Sequence, residues 1–106
     1  MLDVLAQSLT VLEQLAPIEP KLRSRRKSLA DEIGRAAESI ALNIAEASAR
    51  AGLDRPDMFR RAFGSARELS TALLIAKARG YITPDDFAAV ETPLDRVRAM
   101  LFRLTR

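Results

Sequence analysis

Apolar residues recur at steps of three or four along most of the chain, which is the spacing of one face of an α-helix. The first amphipathic run consists of Leu2, Leu5, Leu9, Leu12 and Leu15. Pro17 and Pro20 follow, and each lacks the backbone N–H group that a continuing helix would need. The pattern therefore predicts a first helix that ends before Pro17.

A second, longer helix is predicted from about Lys21 to Ala51. Gly52 follows, at the position where a helix commonly ends in the left-handed conformation. The apolar stripe of this helix is narrow and flanked by small residues: Leu22, Leu29, Ile33, Ile40 and Ile44, with Ala30, Ala36 and Ala37 beside them. Such a stripe indicates a helix that packs one face against a core.

A third helix is predicted from Asp54, which acts as the N-cap, to Gly80, with Pro56 in the first turn. Its apolar stripe comprises Phe59, Ala62, Phe63, Ala66, Leu69 and Leu73. This helix, too, is expected to bury one face.

A fourth helix is predicted to begin at Thr83, where Thr83, Pro84 and Asp86 form a loose capping box. Its apolar residues alternate steps of three and four, which is a heptad seam: Phe87, Val90, Leu94, Val97, Leu101 and Leu104. Pro93 lies inside this helix and predicts a kink near Ala89.

Four amphipathic helices with short connections predict an all-α fold, an antiparallel four-helix bundle. The 106 residues suit a single domain spanning 1–106. No targeting pattern precedes the first helix, and no apolar run approaches the length of a membrane span. We therefore expect a cytoplasmic protein with no membrane partner.

Two residue types are missing from the chain, His and Cys. Their absence excludes disulfides, Cys/His zinc sites and nucleophiles activated by His. Any catalysis would have to use carboxylates, Lys or Tyr, and no active-site motif is visible. We therefore expect no metal, no cofactor and no enzymatic activity.

The charge balance is slightly basic, with 17 Lys and Arg against 14 acidic residues and a net charge of +3. Arg outnumbers Lys by 14 to 3. A planar guanidinium makes bidentate contacts to phosphate, which favours a partner that carries phosphate groups. The alternative explanation is the codon usage of a GC-rich genome.

The string RAAESIALNIAEASAR, from Arg35 to Arg50, resembles the signature of four-helix bundle proteins associated with intervening sequences of bacterial 23S rRNA genes. The resemblance continues at Gly64 to Leu69, at Ile75 and Ala76, and at Gly80 to Ile82. It covers roughly Ile33 to Arg106, and it is specific because several motifs occur in the same order at matching separations. The first helix resembles the family poorly.

The resemblance implies a helical bundle that assembles into a homo-oligomeric ring, pentameric in known relatives. One branch of the family comprises accessory proteins of diversity-generating retroelements, which are basic pentamers that bind nucleic acid and a reverse transcriptase. Most members have no established biochemical role. The partners implied for this chain are other copies of itself and, in addition, RNA, DNA or a nucleoprotein.

Basic residues cluster at the start of the predicted second helix. Lys21, Arg23, Arg25, Arg26 and Lys27 are candidates for neutralising phosphates. Further arginines that would extend this patch are Arg60, Arg61, Arg96, Arg98, Arg103 and Arg106. Positive charge is unfavourable near a helix N-terminus, which favours a functional role, whereas the alternative is a solvated helix end. No aromatic residues interleave, so base stacking is not expected.

Polar residues border the apolar stripes of the second and third helices. Ser39, Asn43, Glu46, Ser65 and Glu68 are predicted to form a hydrogen-bonded polar layer that fixes the register of the helices. The alternative makes Glu46 and Glu68 an acid/base pair or metal ligands. The missing His disfavours a dimetal site, which normally needs Glu-x-x-His pairs.

Some apolar residues point away from the predicted core. They are Val4 and Val11 on the first helix, Leu42 on the second, Ile75 on the third and Phe102 on the fourth. Gly64 lies on the side of Ile75 and is small enough to admit a neighbour. Single exposed apolar residues are common, but outliers on every helix predict subunit interfaces.

Two functions are consistent with these patterns. The first is a non-enzymatic homo-oligomer that binds nucleic acid through Arg-rich surfaces. The second is a structural or protein-interaction module in which arginines solubilise the surface and pair with acids. An enzyme would require Glu46 or Glu68 in a pocket connected to solvent.

Overall fold

The computed structural model of the protein describes residues 3–50 and 55–106. Over these ranges the fold is all-α, as predicted, and contains no strand. Its helices are α1 (Asp3–Leu15), α2 (Glu19–Arg25), α3 (Lys27–Ala49), α4 (Arg55–Ala78) and α5 (Pro84–Leu104).

The four longer helices pack in a closed cycle around one apolar core. α1 packs against α3 and α5, α4 packs against α3 and α5, and the short α2 packs against α3. The Phe63 and Phe102 rings meet edge to face with centroids 6.3 Å apart, so the start of α4 lies beside the end of α5. The described residues extend over 43 × 22 × 20 Å.

The prediction of one continuous second helix is wrong, because the helix is interrupted at Arg26. Arg26 has an extended backbone, with φ −155° and ψ 94°. It is both the C-cap of α2 and the N-cap of α3. Its N–H donates to the Leu22 carbonyl at 2.8 Å, and its own carbonyl accepts from the Ala30 N–H at 3.1 Å. These two bonds satisfy the backbone across the break. Leu22 remains fully buried, so the apolar pattern continues through the change of direction.

The predicted core face of α1 is only partly correct. Val4, Val11 and Leu15 are buried, whereas Leu9 remains 39% exposed. Leu5 and Leu12 are only partly buried at the edge of the core. The helix carries two apolar lines, and the positions of α3 and α5 decide which of them faces inward.

Several predicted helix boundaries and Leu2 lie outside the described residues. These are the end of the predicted second helix at Ala51 and Gly52, and the N-cap at Asp54. The predicted stripes of α3 and α4 are confirmed for most members: the buried residues include Ile33, Ile40, Ile44, Phe59, Ala62, Ala66, Leu69 and Leu73.

The end of α4 follows the prediction closely. Gly80 has φ +73°, the left-handed conformation that favours glycine. The Gly80 N–H donates to the Lys77 carbonyl at 3.0 Å, and the Tyr81 N–H donates to the Ala76 carbonyl at 2.9 Å. This pair of bonds is a Schellman motif, and it fixes the direction in which the chain leaves α4.

The predicted capping box at the start of α5 is confirmed. The Asp86 N–H donates to the Thr83 hydroxyl, and the Thr83 N–H donates to the Asp86 carboxylate, both at 3.0 Å. Within α5, Val90, Leu94, Val97 and Leu101 are buried, while Leu104 is 41% exposed. Pro93 is buried inside this helix, and the kink near Ala89 stays a prediction.

Arg98 joins α5 to α4. Its guanidinium donates to the Ser70 hydroxyl on α4 and pairs with Glu91 and Asp95 on α5. The hydrogen bond and charge of Glu91, followed by those of Asp95, raise the pKa of Arg98 above its usual value. In the part of the chain that the structure describes, no helix is long and apolar enough to cross a membrane.

Candidate interaction surfaces

A small polar contact joins α3 to α4 at the predicted polar layer. The Ser39 and Ser65 hydroxyls are 2.8 Å apart. The Asn43 amide donates to the Ser39 carbonyl at 2.8 Å and to the Ser39 hydroxyl at 3.1 Å. Three of the five predicted residues therefore meet.

The two carboxylates predicted for this layer do not belong to it. The Glu46 side chain is 52% exposed and pairs with Arg50 at 2.8 Å, one helical turn further on. Glu68 is exposed as well. Both point outward because they lie beyond the buried stripes of their helices. Across residues 3–50 and 55–106, no three acidic side chains converge as metal ligands would.

Ion pairs hold two residues of the predicted basic patch. The Lys21 ammonium contacts the Asp86 carboxylate at 2.8 Å and so ties α2 to α5. The Arg23 guanidinium contacts the Asp31 carboxylate, also at 2.8 Å. Arg25 and Lys27 are exposed. Neither makes an ion pair with another described residue.

The predicted patch is divided between the two ends of the molecule. Residues 21–27 lie at the end formed by α2, the start of α3 and the end of α4. Arg60 and Arg61 lie near the start of α4, and Arg103 lies near the end of α5, so all three belong to the opposite end. Arg61 pairs with Asp57 at 3.3 Å. Arg96 lies between the ends. The 23 residues of α3 separate the two groups by about 30 Å, which is too far for a single patch.

We call the first of these regions the basic end. It consists of residues 21–27 together with Lys77 and Arg79, which close α4. The Lys77 ammonium lies 4.5 Å from the centroid of the Phe87 ring. Sequence reasoning did not assign Lys77 or Arg79 to the patch, since they are distant from it along the chain.

A cavity of about 420 Å³ opens in the basic end, between the α2–α3 junction and the end of α4. The Arg26 Nε donates to the Ser28 hydroxyl at 3.2 Å on one wall. Arg79 and Tyr81, which follow the end of α4, line the cavity as well. The remaining lining residues are Leu29, Glu32 and Ile75.

Tyr81 is electrostatically coupled to this cavity. A hydrogen bond from the Arg79 guanidinium lowers the pKa of the Tyr81 phenol below its usual value. The positive charges of Arg79 and Arg26 act in the same direction, and together they outweigh the opposing effect of partial desolvation. Two guanidinium groups that are distant along the chain thus lie near one hydroxyl.

Most of the residues predicted to face outward are exposed. Leu42 is 70% exposed, Phe102 53% and Ile75 47%, and Gly64 is exposed as well. Val4 and Val11 are the exceptions, since both lie in the core and so cannot form an interface. Sequence reasoning missed Leu74, which is 52% exposed beside Ile75.

The outer side of α4 is the most continuous of these surfaces. Gly64, Thr71 and Ala78 repeat at intervals of seven residues, and Leu74 and Ile75 lie between the last two. All five residues are exposed. A Cβ atom added at Gly64 would meet no atom within 4 Å, so the surface above it is open. We call this surface the α4 outer face.

The helical cycle of the described residues defines an all-α helical protein. The chain matches the 23S rRNA-intervening sequence protein family over residues 1–103 and therefore belongs to that family. The match includes the first helix, which the motifs alone had left outside the resemblance.

A solved structure has the same fold. It is a protein of unknown function from the S23 ribosomal protein family of Bacteroides thetaiotaomicron VPI-5482, crystallised and determined at 1.70 Å resolution. It superposes with a TM-score of 0.82 at 20% sequence identity, over 97% of this chain and 98% of that one. Among curated proteins, none matches the chain.

Proposed function

We propose that this chain is a non-enzymatic, four-helix-bundle subunit of a homo-oligomer that binds nucleic acid through its basic end. The closed cycle of α1, α3, α4 and α5 supports the bundle, with α2 as an additional helix of about two turns. The family resemblance favours a pentameric assembly. The outward positions of Glu46 and Glu68 support a role without catalysis.

The α4 outer face is the observation that carries self-association. Leu74 and Ile75 expose about half of their side chains, 52% and 47%, on one helix. The Thr71 hydroxyl donates to the Arg67 carbonyl at 3.2 Å, so an interface can cover it without leaving a donor unpaired. Gly64 lets a neighbouring backbone approach closely.

A closed ring needs two different complementary surfaces on each subunit. The α4 outer face supplies one. Leu42, exposed on the outward side of α3, marks a second apolar position on another helix. Phe102 supplies a third on α5, where its ring already rests against Phe63.

Self-association is tested by adding a charge to the α4 outer face. Ile75→Glu places a carboxylate in the proposed apolar contact, and its desolvation should reduce the oligomer mass measured by light scattering. Thr92→Glu on the exposed side of α5 is the matched control and should leave the mass unchanged. An Ile75→Glu protein with the wild-type oligomer mass would remove this face from the proposal.

Nucleic-acid binding is supported by the charges of the basic end. Arg25 and Lys27 are exposed, and Arg26 and Arg79 line the adjacent cavity. Guanidinium and ammonium groups that neutralise phosphates release counterions, so the affinity should fall steeply as salt increases. A ring of subunits would multiply weak contacts through avidity.

The binding test uses fluorescence anisotropy with labelled single-stranded RNA and DNA over a series of salt concentrations. The variant Arg23→Ala/Arg25→Ala/Arg26→Ala should bind every sequence more weakly and show a shallower salt dependence. The variant Arg60→Ala/Arg61→Ala/Arg103→Ala removes the same charge at the opposite end and should retain most of the affinity. Equal losses in the two variants would contradict the assignment to the basic end.

A second function is favoured by the ion pairs of α2. Lys21 and Arg23 are engaged by Asp86 and Asp31, which fits a structural or protein-interaction module without nucleic-acid binding. The two functions differ in the ultraviolet absorbance ratio of the natively purified protein before and after a high-salt wash. If nucleic acid contributes to the absorbance of the purified protein and a high-salt wash removes that contribution, nucleic-acid binding is supported. If no such contribution is seen and the protein has no affinity for RNA or DNA, the structural or protein-interaction module is supported.

A further inference from the structure

The cavity at the basic end combines groups that recognise an oxyanion. Arg26 and Ser28 come from the α2–α3 junction, whereas Arg79 and Tyr81 come from the connection that follows α4. Residues more than fifty positions apart therefore converge on one space of about 420 Å³. Two guanidinium groups and two hydroxyls are the donor types that commonly bind phosphate oxygens.

The backbone holds both walls of the cavity in place. The Schellman motif fixes Tyr81 through the bond from its N–H to the Ala76 carbonyl at 2.9 Å. Arg26 is held by its backbone bonds to Leu22 and Ala30, and its side chain is turned towards Ser28. A site whose donors are positioned before binding loses less conformational entropy when a ligand arrives.

We propose that this cavity is a phosphate-binding site in which Arg26 and Arg79 hold the anion and Tyr81 donates a hydrogen bond to it. The phosphate would be a phosphodiester of bound nucleic acid, and in this respect the site rests on the proposed function. A free phosphorylated small molecule carries the same chemistry, and the test below separates the two sources.

The state of Tyr81 is consistent with this role. Its side chain lines the cavity together with Arg79, and its hydroxyl hydrogen can be donated to a ligand there. The lowered pKa reports a positive potential at the hydroxyl. A bound phosphate would offset that potential and so raise the pKa of Tyr81 towards its ordinary value.

Glu32 opposes the proposed ligand. Its carboxylate lines the same cavity and would repel a bound anion. Removing this charge should therefore strengthen phosphate binding. An increase in affinity is a useful readout because a misfolded variant cannot produce it.

Tyr81 provides its own spectroscopic probe, since the chain has one Tyr and no Trp. The experiment titrates pyrophosphate into the full chain at constant ionic strength and follows tyrosine fluorescence. The ultraviolet absorbance of the phenolate, measured against pH, gives the pKa of Tyr81 with and without pyrophosphate. We expect a saturable fluorescence change and a higher pKa in the complex.

The variants Arg26→Gln and Arg79→Gln should each weaken pyrophosphate binding about tenfold, because each removes a charge-assisted contact. Arg103→Gln at the opposite end is the matched control and should bind as the wild type does. Glu32→Gln should bind more tightly, whereas Glu38→Gln, which removes the same charge elsewhere on α3, should not. The absence of a saturable response, or equal losses in Arg79→Gln and Arg103→Gln, would overturn the site.

Competition with single-stranded RNA and DNA identifies the source of the phosphate. If an oligonucleotide displaces pyrophosphate and Arg79→Gln weakens its binding, the site holds a phosphodiester of nucleic acid. If pyrophosphate binds and no oligonucleotide does, the site stands as one for a phosphorylated small molecule, and the proposed nucleic-acid function falls. If oligonucleotides bind but pyrophosphate does not, the nucleic-acid function stands and the phosphate site is rejected.

Discussion

The hydroxyl groups of Ser39 on α3 and Ser65 on α4 lie 2.8 Å apart, and they form a side-chain hydrogen bond between these two helices. Asn43 donates to Ser39 from one turn further along α3. The contact is partly buried among apolar residues, where a polar group without a partner is costly. It therefore favours one register of α3 against α4.

The variants Ser39→Ala and Ser65→Ala should each lower the free energy of unfolding by about 1 kcal/mol, because each leaves a partly buried group without its partner. The double variant should lose less than the sum of the two, since neither hydroxyl is then left behind. Urea denaturation measures all three. Ser48→Ala is the control, because Ser48 donates only within its own helix, to the Ile44 carbonyl at 2.9 Å. Strictly additive effects of the two substitutions would contradict the coupling.

The corrected orientation of α1 predicts a contrast between neighbouring apolar residues. Val11→Ala removes two buried methyl groups from the core and should lower the free energy of unfolding by about 2 kcal/mol. Leu9→Ala removes a larger side chain from a position that is 39% exposed, and its cost should be smaller. Urea denaturation of both variants gives the comparison. If Leu9→Ala lowered the free energy of unfolding more than Val11→Ala, the leucine stripe would be the core face of α1, as the sequence pattern predicts.

The Lys21–Asp86 contact predicts a pH dependence of stability. The hydrogen bond from Lys21, reinforced by the Thr83 N–H, lowers the pKa of Asp86 below its usual value. A carboxyl with a lowered pKa in the folded state contributes stability in full above its unfolded pKa. That contribution is lost as pH falls through the lowered folded pKa.

Asp86→Asn should therefore lower the free energy of unfolding by about 1 kcal/mol near neutral pH. The difference from wild type should shrink below about pH 4 and vanish when Asp86 is protonated in both states. Urea denaturation at a series of pH values measures it. Asp85→Asn removes the same charge in the same helical turn and leaves the Lys21 contact intact, so this control should cost less near neutral pH. A difference that stays constant down to acid pH would contradict the assignment.

Gly64 and Gly34 provide a matched pair for the α4 outer face. Each occupies a helix interior where an added Cβ meets nothing within 4 Å of the subunit itself. Replacing either by Ala should stabilise an isolated subunit by about 0.5–1 kcal/mol through helix propensity. Gly64→Ala should also weaken self-association in concentration-dependent light scattering, because the new methyl group lies in the proposed contact. Equal association of the two variants would argue against close packing at Gly64.

Local hydrogen bonding explains why both ends of the α4–α5 connection were predictable. The conformation of Gly80 and the capping box of Thr83 depend on residues within a few positions along the chain. The break at Arg26 was not predictable in this way, because no Gly or Pro marks it and the apolar pattern runs through it. Contacts that are distant in sequence, such as Lys21 with Asp86, accompany the change of direction there.

The interaction surfaces were predictable to different degrees. Helical spacing alone indicates the outward positions of Leu42, Ile75 and Phe102, since each lies opposite a clear apolar stripe. Helical spacing wrongly placed Val4 and Val11 on the outside. α1 carries two apolar lines, and the packing of α3 and α5 determines which of them faces the core. The cavity between Arg26 and Arg79 was missed, since it forms only when the start of α3 meets the end of α4.

Sedimentation equilibrium of the full chain at micromolar concentration distinguishes a self-associating protein from a monomer. We expect a mass several times that of the 11.7 kDa subunit, five-fold for the pentamer that the family resemblance favours, and a lower mass for Ile75→Glu. A wild-type protein that sediments as an 11.7 kDa monomer would contradict self-association.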